Sequence, residues 1–171
     1  MTVGPGAEAP GAGQAGPLDA IDRGIVTALR GDGRLSIRAL AAQLNISRAN
    51  AYARVQRLEG SGVITGYTAT INPQRCGYGV SAYVYLKISQ QSWKSVRQRV
   101  AAIPEIEHGA LVAGENDIVL LVRTRDTASL RDLVLTKFHE MPDVLSTQTV
   151  LIFDELPLPL AEHPATRPGS G

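Results

Sequence analysis

Apolar positions along the chain change their period twice, and the changes divide it into parts. Leu18, Ile21, Ile25 and Leu29 recur at helical spacing, with Asp19 placed as N-cap, Asp22 in the favourable first turn, and Gly31 and Gly33 as stops. Ile37, Leu40, Ala41 and Leu44 make a second, shorter stripe, opened by Ser36 as N-cap and closed by Asn45, a residue that tolerates the left-handed conformation. After a three-residue break Ser47 caps a third helix, in which Ala51, Tyr52, Val55 and Leu58 are the expected buried stripe before Gly60 and Gly62. The last two helices form a helix-turn-helix. The first should pack across them, because two short helices bury too little alone.

Beyond Gly62 the segment from Val63 to Ile71 alternates and is rich in β-branched residues, which predicts a strand acting as a wing or linker up to the Asn72-Pro73 turn. Gln74 to Gly79 is the expected hinge. Ala82, Val84, Leu86 and Ile88 then alternate with Tyr83, Tyr85 and Lys87, and Trp93, Val96, Val100 and Ile103 return to helical spacing up to Pro104. Ile106 to Ala113 alternates again, Gly114 to Asp117 reads as a hairpin turn, and Ile118 to Val122 is an apolar run suited to a central strand. Asp126 is placed to cap a helix with Leu130, Leu133, Val134 and Phe138 on its buried side, and Val144 to Phe153 is a last strand. The order β-α-β-β-α-β is that of a ferredoxin-like unit. The predicted class is therefore α+β, with a leader at 1–17, a winged helix-turn-helix at 18–72, a hinge at 73–79, a ferredoxin-like domain at 80–155 and a tail at 156–171.

Charge sharpens the picture only locally. The whole chain of 171 residues carries a formal net charge of +1, which says little about partners. From Arg34 to Gly60, however, five arginines stand against the single acid Glu59, and no acid falls between Ser47 and Leu58. Asn50, Arg54 and Arg57 follow i, i+4, i+7 and project together, while Ser47 and Arg48 occupy the first turn, where such helices meet bases and phosphates. Arginine pairs with guanine or neutralises phosphate and asparagine pairs with adenine, so this helix suits double-stranded DNA. An ordinary solvated helix face is the competing reading.

Composition excludes several classes. The leader, with five glycines, three prolines and four alanines before residue 18, has too little apolar bulk to order itself, and the tail is rich in proline. A single cysteine, Cys76, leaves no intrachain disulfide and no cysteine zinc site. No apolar run approaches the roughly 20 residues of a membrane span and no signal-peptide pattern opens the chain, so a cytoplasmic location is expected. His108, His139 and His163 fall on a strand, a helix end and the tail, without a partnered nucleophile or metal spacing, and neither glycine-rich stretch has the lysine and hydroxyl of a phosphate loop. No enzyme, cofactor or metal is expected.

The motifs Leu18-Asp19-Ala20-Ile21-Asp22, Gly33-Arg34, Leu40 to Ser47, Arg54 to Tyr67, Gly114 to Asp117 and Pro142 to Thr149 stand in the order in which they occur in the Lrp/AsnC transcriptional regulators, which the chain resembles from Leu18 to about Glu155. The resemblance implies a DNA-binding winged helix-turn-helix and an αβ domain that forms homodimers, often higher oligomers such as octamers, and commonly binds an amino acid between dimers. It makes Ser47, Arg48, Asn50, Arg54 and Arg57 the DNA-contact candidates, although such arginines support the helix in some members. Arg48-Ala49-Asn50 departs from the proline that many members carry after this serine. The same resemblance makes Gly114, Asn116 and Asp117 an effector loop, with Asp117 facing an effector's ammonium group and Thr147 and Thr149 on the last strand beside it. A plain hairpin turn and ordinary strand threonines are the structural alternative. Two functions of different class remain: a regulator that binds DNA and senses a small metabolite, or a metabolite-binding or assembly protein whose helix-turn-helix is a scaffold or docking surface.

Overall fold

The computed structural model describes residues 17–89 and 91–156, so the expectations for the leader up to residue 16 and the tail from residue 157 lie outside the described residues. Two compact units divide between Ala69 and Thr70. In the first, α1 (Ala20–Gly31), α2 (Ile37–Gln43) and α3 (Arg48–Gly60) pack around Ile25, Leu40, Val55 and Leu58, with Leu18, Ile21, Leu29 and Leu44 against them. Each N-terminus is capped as its residue type dictates. Asp19 and Asp22 form a reciprocal capping box, the Ser36 hydroxyl accepts from the Ala39 N–H at 3.1 Å, and the Ser47 hydroxyl accepts from the Asn50 N–H at 3.2 Å. Asn45, at φ 53°, is the left-handed residue that turns the chain from α2 into α3.

Two sequence expectations fail in this unit. Tyr52 is not part of the α3 core: 58% of it is exposed, and the buried residues are Ala51, Val55 and Leu58. Tyr52 lies one position past Ala51, about 100° further round the helix, so the i, i+4, i+7 row is complete without it. Residues 63–72 also form no strand. A strand needs a ladder partner, and up to Ala69 the first unit offers only helices; Val63 and Ile64 pack on the helical core instead, and Tyr67 reaches back to donate to the Glu59 carboxylate at 2.8 Å.

The second unit is the expected β-α-β-β-α-β. Strands β1 (Val80–Ile88), β2 (Ile106–Leu111), β3 (Ile118–Thr124) and β4 (Val144–Ile152) form one antiparallel sheet in the order β2-β3-β1-β4. Helix α4 (Trp93–Ala101) and helix α5 (Thr127–Asp132), which continues in a wider π-type turn through Leu133–Phe138, bury one face. Asp126 caps α5 by accepting from the Ser129 N–H at 2.7 Å. The core comes from the alternate residues Ala82, Val84, Leu86 and Ile88 of β1 and Ile118, Leu120 and Val122 of β3, under Val96, Val100, Leu130, Leu133 and Phe138. The opposite sheet face stays open. Tyr83 and Val150 face each other across β1 and β4 there, 41% and 44% exposed. Arg123, on the same side, is buried by ion pairs to Glu107 and Glu155 and donates to the Ser81 hydroxyl. Those two carboxylates hold its guanidinium firmly protonated, well above its usual range, against the opposing pull of burial.

Candidate nucleic-acid interface and effector cleft

Helix α3 sets out its side chains on three sides. The core side is Ala51, Val55 and Leu58. Asn50, Arg54 and Arg57 do project together, as their spacing predicts, but they are turned towards the first turn of α1. Arg54 Nη1 donates to Asp19 Oδ2 at 2.6 Å and to Asp22 Oδ1 at 2.7 Å, its Nε donates to Asn50 Oδ1 at 2.8 Å, and Arg57 Nη2 reaches Asp22 Oδ1 at 2.6 Å. The Asp22 side chain is only 2% exposed, whereas those of Arg54 and Arg57 are 21% and 48% exposed. Burial alone would raise the Asp22 carboxyl, but the hydrogen bonds from Arg57 and Arg54 outweigh it and hold the group below its ordinary value. A carboxylate so buried needs cations around it, and both come from α3.

The remaining surface of α3 is free of such ties. Ser47, Arg48, Ala49 and Asn50 are exposed around the helix N-terminus, where unpaired backbone N–H groups and the helix dipole favour a phosphate. Arg48 makes no ion pair among the described residues, nor do Arg34 and Arg38. Ala49, Tyr52, Ala53 and Gln56 complete the outward side. Sequence reasoning missed Asp22 as the anchor of the arginines. The signal was present in the two acids of Leu18-Asp19-Ala20-Ile21-Asp22, one helical turn apart on a helix expected to cross α3.

In the second unit the turn from Gly114 to Asp117 closes the β2–β3 hairpin, with Gly114 at φ 137°, a conformation that side chains rarely adopt. Asp117 ties this turn to β1. Its N–H donates to Leu86 O at 2.9 Å, its Oδ2 accepts from the Ile88 N–H at 2.9 Å, and its Oδ1 accepts from Lys87 Nζ at 3.3 Å. The Ile88 N–H first, and Lys87 after it, keep the carboxyl below its usual range. Asp117 lines a cleft of ≈ 510 Å³ with Lys87, Trp93, Leu111, Val112 and Leu145. Gly114 and Asn116 shape the turn without lining it. Thr147 and Thr149 are not brought to this cleft within one chain. They sit on β4 opposite Leu86 and Val84, on the other side of β1 from β3, and the Thr147 hydroxyl is engaged with His139 Nε2 at 2.9 Å. Lys87, Trp93, Leu111 and Leu145 escaped the sequence reading, because only the fold gathers them.

Among the described residues no group of three or more His, Cys, Asp or Glu side chains is placed to hold a metal ion, and no helix is long and apolar enough to cross a membrane. A family model for a winged helix-turn-helix DNA-binding domain matches residues 18–65, and one for the Lrp/AsnC ligand binding domain matches residues 81–157. The transcriptional regulator AldR of Mycolicibacterium smegmatis is 36% identical over 142 residues, covering 81% of this chain and 83% of its own. The crystal structure of the leucine response regulatory protein LrpA of Mycobacterium tuberculosis matches with a TM-score of 0.71 at 35% identity, over 81% of this chain and 94% of that one. A transcriptional regulator from Neisseria meningitidis, solved in complex with L-Met, shares the fold with a TM-score of 0.77 at 23% identity, over 82% of this chain and 92% of that one. The chain belongs to the Lrp/AsnC family: it is a DNA-binding transcriptional regulator, not an enzyme, with a helix-turn-helix domain followed by a ligand-binding domain.

Proposed function

We propose that the regulator docks the first turn of α3 on DNA through Ser47, Arg48 and Asn50, that Arg57 adds its exposed half, and that Arg54 sets the pose of the helix from behind. The observation that carries this division is Asp22. A 2% exposed carboxylate holds both Arg54 and Arg57, while Arg48 beside the helix N-terminus has no partner among the described residues. Residues 18–72 are then the DNA-binding part and 73–79 the hinge, where Gly77 takes a left-handed turn at φ 88°.

The effector in this proposal is an amino acid held at the Asp117 cleft. Lys87 and Asp117 present an ammonium and a carboxylate side by side, complementary to the two charges of a zwitterion, and Trp93, Leu111, Val112 and Leu145 offer an apolar wall to its side chain. Two binding-site oxygens of Asp117 are each occupied once, which leaves acceptor capacity for an ammonium group. Gly114 and Asn116 shape the loop, and Thr147 and Thr149 act from a second copy. The supporting parallel is the L-Met complex of the Neisseria meningitidis protein. The open sheet face around Tyr83 and Val150 is the proposed homodimer surface, and the effector acts by binding one arrangement of dimers better than another.

The test is melting temperature against a panel of amino acids, for the wild type and for Lys87→Met and Asp117→Asn. A ligand at a hundredfold over its Kd stabilises by about 2.7 kcal/mol, enough for a shift of a few degrees. A shift in the wild type that both variants lose supports the cleft. A shift that survives in both moves the effector elsewhere.

A further inference from the structure

Helix α3 carries a second row of residues that the Asp22 clamp does not touch. Ala49, Tyr52, Ala53 and Gln56 follow i, i+3, i+4, i+7, so they share one stripe, and all four are exposed. Tyr52 is the one large side chain in it, 58% exposed, and its hydroxyl forms no hydrogen bond among the described residues. A lone exposed tyrosine needs no explanation. This one stands beside the phosphate-binding first turn, on the helix that the fold holds outward, with alanines on either side of it.

We infer that Tyr52 is a specificity-determining residue for DNA, reading a thymine in the major groove by packing its ring on the 5-methyl group. The inference rests on the proposed reading of α3 as the DNA-contacting helix. Tyr52 is neutral and releases no counterion, so the salt-dependent part of binding falls to Arg48 and the helix N-terminus, and any hydrogen bond from its hydroxyl to a phosphate is removed in Tyr52→Phe. Among base edges in the major groove, thymine alone offers an apolar group, and side-chain carbons are its usual partners. Ala49 and Ala53 are small enough to let the helix backbone come close, and their methyls extend the apolar strip. Gln56, one turn on from Tyr52, has the amide that pairs bidentately with adenine. Its contact with Glu59, at 3.2 Å on the exposed surface, is readily exchanged. The reading row is thus distinct from the Asn50–Arg54–Arg57 row that spacing and charge alone select.

The full-length protein is first used to enrich duplexes from a random library. The enriched duplex is then made with deoxyuridine replacing each thymidine in turn, which removes only the methyl group. The wild type is expected to bind roughly fourfold more weakly when one particular thymine of a half-site loses its methyl, the loss of one buried methyl-sized group. Tyr52→Ala should bind the two duplexes equally, keep the wild-type salt dependence on an unrelated duplex and keep its melting temperature. Tyr52→Phe should retain the discrimination. If Tyr52→Ala keeps the wild-type preference for the methylated base, or if no thymine is sensitive in the wild type, the inference is overturned, while weakened binding by Arg48→Ala preserves the reading of α3. A wild type that enriches no sequence and is indifferent to Arg48→Ala overturns both.

Discussion

At the scale of single residues, Asp22 has the largest leverage. Removing one member of a fully buried ion pair costs roughly 3–5 kcal/mol. Because Arg54 and Arg57 keep 21% and 48% of their side-chain surface in water, they rehydrate in part, and Asp22→Asn should cost nearer ~2 kcal/mol in urea titrations. Its dependence on pH has a definite sign. The carboxyl titrates lower in the folded chain than its ordinary 3.8, so its stabilisation is complete above that value and is lost as pH falls through the lower folded value. The stability gap between wild type and Asp22→Asn should therefore be constant from neutral pH down to about 5 and close in stronger acid. A gap that persists unchanged at pH 2 would show that packing, not charge, holds the site. Asp117 gives a second residue-level expectation. Asp117→Asn keeps an acceptor for the Ile88 N–H, whereas Asp117→Ala leaves that donor unpaired, so the alanine variant should melt lower by the equivalent of about 1 kcal/mol.

At the scale of elements, the parts legible in the sequence were those where local chemistry and global packing agree. Asp19, Ser36, Ser47 and Asp126 all cap the helices that their side chains can satisfy, and Asn45 takes the left-handed turn between α2 and α3. The β-α-β-β-α-β order followed from alternation in β1 and from the apolar run of β3, whose Ile118, Leu120 and Val122 meet the helices. What failed needed information beyond the segment. The segment from Val63 to Ile71 has the composition of a strand, but up to Ala69 it lies in a unit that offers only helices, and Tyr52 joins an apolar count although it points outward. The arginine row was legible as a row, but its partner, Asp22, lies more than thirty positions away in sequence. The caps give a direct check. Ser47→Ala should destabilise by ~1 kcal/mol and Asn45→Val by at least as much, because valine tolerates φ 53° poorly, while Asn45→Gly should stay within a few tenths. Equal effects of valine and glycine at this position would mean that the turn is not held left-handed in solution.

At the scale of the whole molecule, the charge balance favours the proposed dimer over a single chain on DNA. The net charge is +1, and the arginines Arg54 and Arg57 are already matched by Asp19 and Asp22, so among the described residues the α2 and α3 side of one helix-turn-helix offers DNA few unpaired cations, chiefly Arg34, Arg38 and Arg48. Each phosphate neutralised adds about 0.9 to the slope of log affinity against log salt, so one copy alone binds weakly and its slope is shallow. The proposed dimer would bring a second helix-turn-helix to the DNA, and the two half-sites should then lie about one helical turn, or a multiple of it, apart. The open sheet face is where such a pair would be joined, through Tyr83 and Val150 on neighbouring strands. Tyr83→Glu, which places an unpaired charge on that face, should turn the proposed dimer into single chains in sedimentation experiments. The same variant should lose more than tenfold in affinity for a paired site and about half of the salt slope, because linkage converts the second contact into an intramolecular one. Arg48→Ala should lower the slope by about one per copy engaged without changing the assembly. Single chains that still bind the paired site with full affinity and slope would mean that one α3 carries more of the DNA contact than its free cations allow, and the division of roles between Arg48 and the Asp22-held arginines would have to be reversed.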